Sequence, residues 1–86
     1  MYRLAGDITA EEIDGCYILL RDNEDAVTLN ESASFIIEHL DMDNNKIAKL
    51  ICEKYGVGYV EALSDVELFT RELLKNGLVV ETDVLQ

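Results

Sequence analysis

The segment Asp41-Met42-Asp43-Asn44-Asn45 sets side-chain oxygens at alternate positions, the way a calcium loop opens. Such a loop continues with glycine at its sixth position and a chelating glutamate at its twelfth. Lys46 and Cys52 stand in those places, and Glu53 falls one residue late. The segment therefore reads as a turn between helices whose side chains cap the second one. Cys16 and Cys52 lie in apolar surroundings, outside any C-x-x-C pair and away from histidine at metal-ligand spacing. They read as two buried thiols acting as small hydrophobes. His39 is the single histidine, near the end of a helical stretch where a partly charged imidazole suits the helix dipole. No serine or cysteine motif accompanies it, so nucleophilic catalysis has no constellation to rest on. Asn30-Glu31-Ser32 matches a glycosylation sequon, but no secretory signal accompanies it. The carboxylates are scattered, and no glycine-rich phosphate loop is present. No catalytic residue, metal or cofactor is expected, and nothing points to an enzyme.

What remains is surface and charge. The chain has 86 residues, 49% of them hydrophobic, and no proline, which fits one folded domain with one modest core. Residues 1–45 carry eleven acids against two bases, a net of −9; residues 46–86 carry seven against five, a net of −2. Such a surface repels phosphate backbones, whose binding needs Lys and Arg to replace counterions. A basic or polar peptide is the better electrostatic partner. The longest apolar run, Cys16-Tyr17-Ile18-Leu19-Leu20, is far short of the ~20 residues of a membrane span. The first residues lack a signal-peptide pattern, so cytoplasm is the expected location.

The elements that would carry this surface follow from a change of period near residue 30. Ile8–Ile13 reads as a strand, and Asp14-Gly15 as a tight hairpin turn needing positive φ. Cys16–Arg21 follows as a strand whose apolar run suggests burial on both faces. A polar turn then leads to Ala26-Val27-Thr28-Leu29, which alternates, completing a three-stranded antiparallel meander. Asn30 reads as a helix N-cap ahead of Ala33, Ile36, Ile37 and Leu40. A second helix begins near Asp43 or Asn44, carries Ile47, Leu50 and Ile51, and runs to Tyr55, with Gly56 as its stop. A third starts at Ser64-Asp65-Val66-Glu67, which has capping-box spacing, or as early as Tyr59. It ends at Asn76-Gly77, and Leu78-Val79-Val80 forms a short extended piece. The class is α+β and winged helix-turn-helix-like: a three-stranded antiparallel sheet followed by three helices. On the third helix Val66, Phe69, Leu73 and Leu74 point one way. Leu68 lies about 160° from Val66, at ~100° per residue, and that makes a flank of Asp65, Leu68, Phe69 and Glu72 a candidate binding surface.

Taken in order, Leu19-Leu20, Val27-x-Leu29-Asn30, Ala33, Ile36 or Ile37, Ile47, Tyr55-Gly56-Val57, Asp65-Val66-x-x-Phe69, Leu73 and Gly77-Leu78 resemble the PqqD-like family. These are stand-alone recognition elements for ribosomally synthesised, modified peptides (RiPPs). The resemblance covers about residues 6–81 of a single domain spanning 1–86. It departs at Asp41-Met42-Asp43, where the family often has Asp-Gly. What it implies is a non-catalytic domain that binds the leader of a precursor peptide as an added strand, against the third strand and beside the third helix. Carried onto this chain, the pairing edge is Asp25, Ala26, Val27, Thr28 and Leu29. The groove wall is Asp65, Leu68, Phe69 and Glu72, with Lys75 or Asn76 at its end. The strand follows from the family, the helix flank from the wheel. The implied partners are the leader and a RiPP-modifying enzyme (a radical-SAM protein, a leader peptidase or a cyclase), without nucleic acid or membrane.

Three other readings share parts of this pattern. A winged-helix DNA-binding regulator would need a basic recognition helix, but residues 64–76 hold three acids against two bases. An acyl carrier protein needs Asp-Ser before a helix, and Leu63-Ser64-Asp65 reverses that order. A general protein-interaction module differs only in its partner.

Overall fold

The computed structural model describes residues 1–22 and 26–82. In chain order these form β1 (Tyr2–Leu4), β2 (Ile8–Ile13), β3 (Cys16–Arg21), β4 (Ala26–Thr28), α1 (Glu31–Glu38), α2 (Asn44–Tyr55), α3 (Tyr59–Lys75) and β5 (Val79–Glu81). Strands β2, β3 and β4 make an antiparallel sheet in that order. Asp14 and Gly15 supply the hairpin turn, with φ of 53° and 84°. The meander of the sequence reading is therefore present, with Ile13 opposite Cys16 and Leu19 opposite both Ala10 and Val27.

The sheet is sealed on one face only. Leu19 is buried to 1% exposure beneath the helices, whereas Cys16, Ile18 and Leu20, which alternate with it, are half-buried. Burial of Cys16–Arg21 on both faces is thus corrected: Ile18 and Leu20 stand outside the core cluster that the helices close. That core joins Ile8, Leu19 and Leu29 of the sheet region to Ile36, Ile37, Leu40, Ile47, Ala48, Ile51, Ala62, Val66, Leu73 and Val79. Fully burying a side chain such as Leu19 or Val66 contributes about 1.5–3 kcal/mol.

The helix ends follow their chemistry. Asn30 accepts a hydrogen bond from the Ala33 N–H at 2.9 Å, and Asp43 accepts one from Lys46 at 2.9 Å. Asp43 thus serves as a cap, which explains its oxygen at that spacing without calcium. Gly56, at φ 72°, stops α2 in the left-handed region. Of the two starts open for α3, the structure takes Tyr59. Ser64-Asp65 then lies inside the helix, because Ala62 continues the buried stripe of Val66 and Leu73. Gly77 closes α3 in a Schellman turn, with Leu78 N–H donating to Leu73 and Gly77 N–H to Leu74.

One element is additional to the sequence reading. Tyr2–Leu4 pairs antiparallel with Val79–Glu81 in a separate two-stranded sheet. Its three residues alternate half-buried, exposed, half-buried, too short a pattern to declare a period.

Candidate functional site

The geometry of β4 follows from where it leaves β3. The Leu29 N–H donates to the Tyr17 carbonyl at 2.9 Å, making Tyr17 and Leu29 a hydrogen-bonded pair of the ladder. In an antiparallel ladder such pairs alternate with non-bonded ones. Leu19–Val27 is then the next bonded pair, and Ile18–Thr28 and Leu20–Ala26 are the non-bonded ones. The N–H and C=O of Ala26 and Thr28 therefore point away from β3, toward an edge on which no strand pairs among the described residues. All three residues of β4 are exposed. Val27 shares the Leu19 face, on the helix side, and remains 37% exposed. Leu29 is a core residue at 6%, its N–H already engaged. Asp25 lies outside the described residues.

Where β4 ends, α1 takes over its hydrogen bonding. The Ser34 hydroxyl accepts from the Tyr17 N–H at 2.8 Å, which is why a serine is buried here. The Tyr17 hydroxyl donates to Glu38 Oε2 at 3.4 Å. Burial of the ring, then the Glu38 and Glu12 carboxylates and the Glu38 hydrogen bond, raise the Tyr17 pKa above its ordinary value near 10.

On α3 the expected flank divides by exposure. Val66 is sealed at 0%, Phe69 is half-buried against the core, and Leu68 is 54% exposed beside exposed Asp65, Glu72 and Lys75. The other flank, through Glu67, Thr70, Arg71 and Leu74, faces Tyr2 and Asn44. The end of α3 is tied to the end of β3 by Arg21. Its Nη2 donates to the Gly77 carbonyl at 2.6 Å and, at 3.5 Å, to that of Asn76. Its Nε lies 3.1 Å from Asp7 Oδ2, an ion pair without hydrogen-bond alignment. A cation on those last carbonyls also suits the helix dipole. Because Leu20 pairs with Ala26, this tie holds the α3 terminus beside the strand that carries β4. Ala26, Val27 and Thr28 are exposed on β4 and Asp65, Leu68 and Glu72 on α3, with Phe69 half-buried; β4 packs on β3, and α3 on α2 and β5.

Sequence reasoning missed Arg21, Ser34 and Thr70. An arginine ending a strand and a serine inside a helix carry no motif. Thr70 is buried because its hydroxyl donates to the Val66 carbonyl at 3.0 Å within its own helix. Among the described residues no group of three His, Cys, Asp or Glu could hold a metal, and both cysteines are free and half-buried. No helix there is long and apolar enough to cross a membrane.

A family model described as Coenzyme PQQ synthesis protein D (PqqD) matches residues 16–79, most of the chain. The fold is similar to that of a solved lasso peptide synthetase B1 complexed with the leader peptide. That match has 23% identity, covers 93% of this chain and 98% of the other, and has a TM-score of 0.85. It is similar also to TbiB1 in complex with the TbiA(beta) leader peptide, at 21% identity, 94% and 98% coverage and a TM-score of 0.84. No curated protein matches the sequence.

Proposed function

Because the chain belongs to the PqqD family, we propose that it binds the leader segment of a ribosomally synthesised precursor peptide by strand addition and presents it to a modifying enzyme or leader peptidase. The observation that carries this is the set of outward N–H and C=O groups of Ala26 and Thr28 on an exposed edge. An incoming strand gains two donors and two acceptors there without disturbing the β3–β4 ladder. Its side chains on the Val27 side face the helices, where Leu68 and Phe69 offer apolar contact and Asp65 and Glu72 offer charge. Lys75 or Asn76 ends that wall, and β4 and the wall together make up the leader site.

Two solved domains of this fold hold leader peptides, which supports the same role here. The acidic front half favours a leader with basic residues. A free leader is disordered and orders on binding, which costs affinity and favours handover. The domain makes and breaks no bond; the chemistry belongs to its partner, a radical-SAM protein, a leader peptidase or a cyclase, in the cytoplasm.

The test is an amide NMR titration with the synthetic leader of a short precursor encoded beside this gene. Saturable shifts concentrated at residues 24–30 and 64–76 are expected. A folded spectrum that stays silent there, with that leader and with a second one, would remove the leader-binding role.

A further inference from the structure

A cavity of about 240 Å³ opens between the β2–β3 turn, α1 and the end of α2. Glu31 and Glu38 flank it, seven residues apart and so two turns along one face of α1. Ser34 and Phe35 line it between them, and Lys54 and Tyr55 come from α2. The rings of Phe35 and Tyr55 meet edge to face, with centroids 6.2 Å apart at 83°.

Three observations say what this cavity suits. First, a cation already rests on the rings: Lys54 Nζ lies 5.6 Å from the centroid of Phe35 and 5.6 Å from that of Tyr55. Second, that ammonium is not within salt-bridge distance of either carboxylate; among the described residues the one salt bridge is Arg21–Asp7. Neither Glu31 nor Glu38 therefore has a salt-bridge partner among the described residues. Third, the Tyr55 hydroxyl is buried and has no hydrogen-bond partner among the described residues. Burial, then the Glu31 carboxylate and Cys16, raise its pKa, so it remains a neutral hydroxyl able to accept or donate.

We infer that this cavity is a seat for an arginine side chain of a partner polypeptide, with Lys54 as a displaceable internal occupant. A guanidinium brings five donors in a planar fork. The plane stacks on the face of one ring while the other, nearly perpendicular, meets its edge, and the donors meet Glu31 and Glu38. An ammonium satisfies the rings but has no plane to stack and fewer donors to spread over the two carboxylates. The seat shares no residue with the proposed leader groove, so it stands or falls separately from that reading.

The test is an NMR titration of the full chain with N-acetyl-arginine methylamide, with the lysine and citrulline derivatives as comparisons. Arginine should give saturable shifts at Gly15, Ser34, Phe35 and Tyr55 in the millimolar range. Lysine should bind more weakly, and citrulline, isosteric but uncharged, should give no saturation. A Glu31→Gln/Glu38→Gln double variant should lose about tenfold or more in affinity, since each carboxylate makes a charge-assisted bond. Lys54→Ala should tighten binding a few-fold by removing the competing cation. All three side chains are exposed, and an unchanged backbone spectrum checks folding. Equal shifts with citrulline, undiminished binding by the double variant, weaker binding by Lys54→Ala, or no shifts at the cavity would each overturn the assignment.

Discussion

Two strands of three residues, β1 and β4, meet opposite fates. Both lie at the margin of a sheet and both pair antiparallel with one neighbour. In β1 the bonds Thr82 N–H to Met1 and Ala5 N–H to Leu78 set the alternation, so that the N–H of Tyr2 points away from β5. It donates to the Leu40 carbonyl at 2.9 Å, and Tyr2 and Leu4 tuck half-buried against the core. In β4 the equivalent groups are those of Ala26 and Thr28. No strand pairs with them among the described residues, and the whole strand is exposed. The difference is not one of propensity or length. It is whether the fold engages the outer row of backbone groups, as Leu40 does with the Tyr2 N–H, and natural sheets seldom leave such a row bare without a reason.

Proline substitution breaks this comparison most sharply, because it removes a single N–H. Thr28→Pro deletes a donor that the β3–β4 ladder does not use. Its leader affinity should fall about tenfold or more, from the lost main-chain bond and the ring on the pairing edge, while the urea midpoint moves little. Tyr2→Pro deletes a donor the fold does use, and should cost about 1–2 kcal/mol of stability with leader affinity unchanged once folded. Val27→Pro, which removes a ladder bond, should unfold the sheet locally in either assay. If Thr28→Pro binds a leader as well as the parent, strand addition on this edge is wrong.

A smaller effect sharpens the comparison by asking whether the open edge acts alone. Leu68→Asp places a charge on the α3 wall at a residue 54% exposed, so stability should hold within about 0.5 kcal/mol. Leader affinity should drop severalfold through lost apolar contact. Val60→Asp, at 80% exposure near the start of the same helix, serves as the control and should bind normally. Equal affinity for the two variants would confine recognition to β4.

Much of this contrast was legible in the residues, and its limits are physical. Asp14-Gly15 names its turn because two consecutive positive φ angles suit few other pairs. Asn30, Asp43 and Gly56 name helix ends for the same local reason. The ordered residues resembled the PqqD-like family, and a PqqD family model matches residues 16–79. What stayed hidden was non-local. The pairing of Tyr2–Leu4 with Val79–Glu81 joins segments at opposite ends of the chain, which no window can see. The Arg21 tie to Gly77 spans a similar gap. The two-face burial expected for β3 erred because an apolar run reports only that both faces are apolar. Whether a second layer covers them depends on where the helices go.

The smallest effect concerns Tyr17, whose backbone marks the point where β4 ends and α1 takes over. Its pKa and that of Tyr55 lie above the ordinary value near 10, each through burial first and neighbouring carboxylate or thiol charge after. The folded protein therefore holds these protons more tightly than the unfolded chain. Below pH 10 both states are protonated and stability from this source is fully present. Between that pH and the higher folded values the unfolded chain has lost protons that the folded one keeps, so stability falls as pH rises. Urea midpoints should stay level from neutrality to about pH 10 and then decline. Tyr17→Phe should lessen that decline while barely changing the midpoint at neutral pH, since the Glu38 bond it removes is long and exposed. A decline of full size in the variant would place the alkaline sensitivity elsewhere, and would leave the end of β4 held by the Ser34 and Leu29 hydrogen bonds alone.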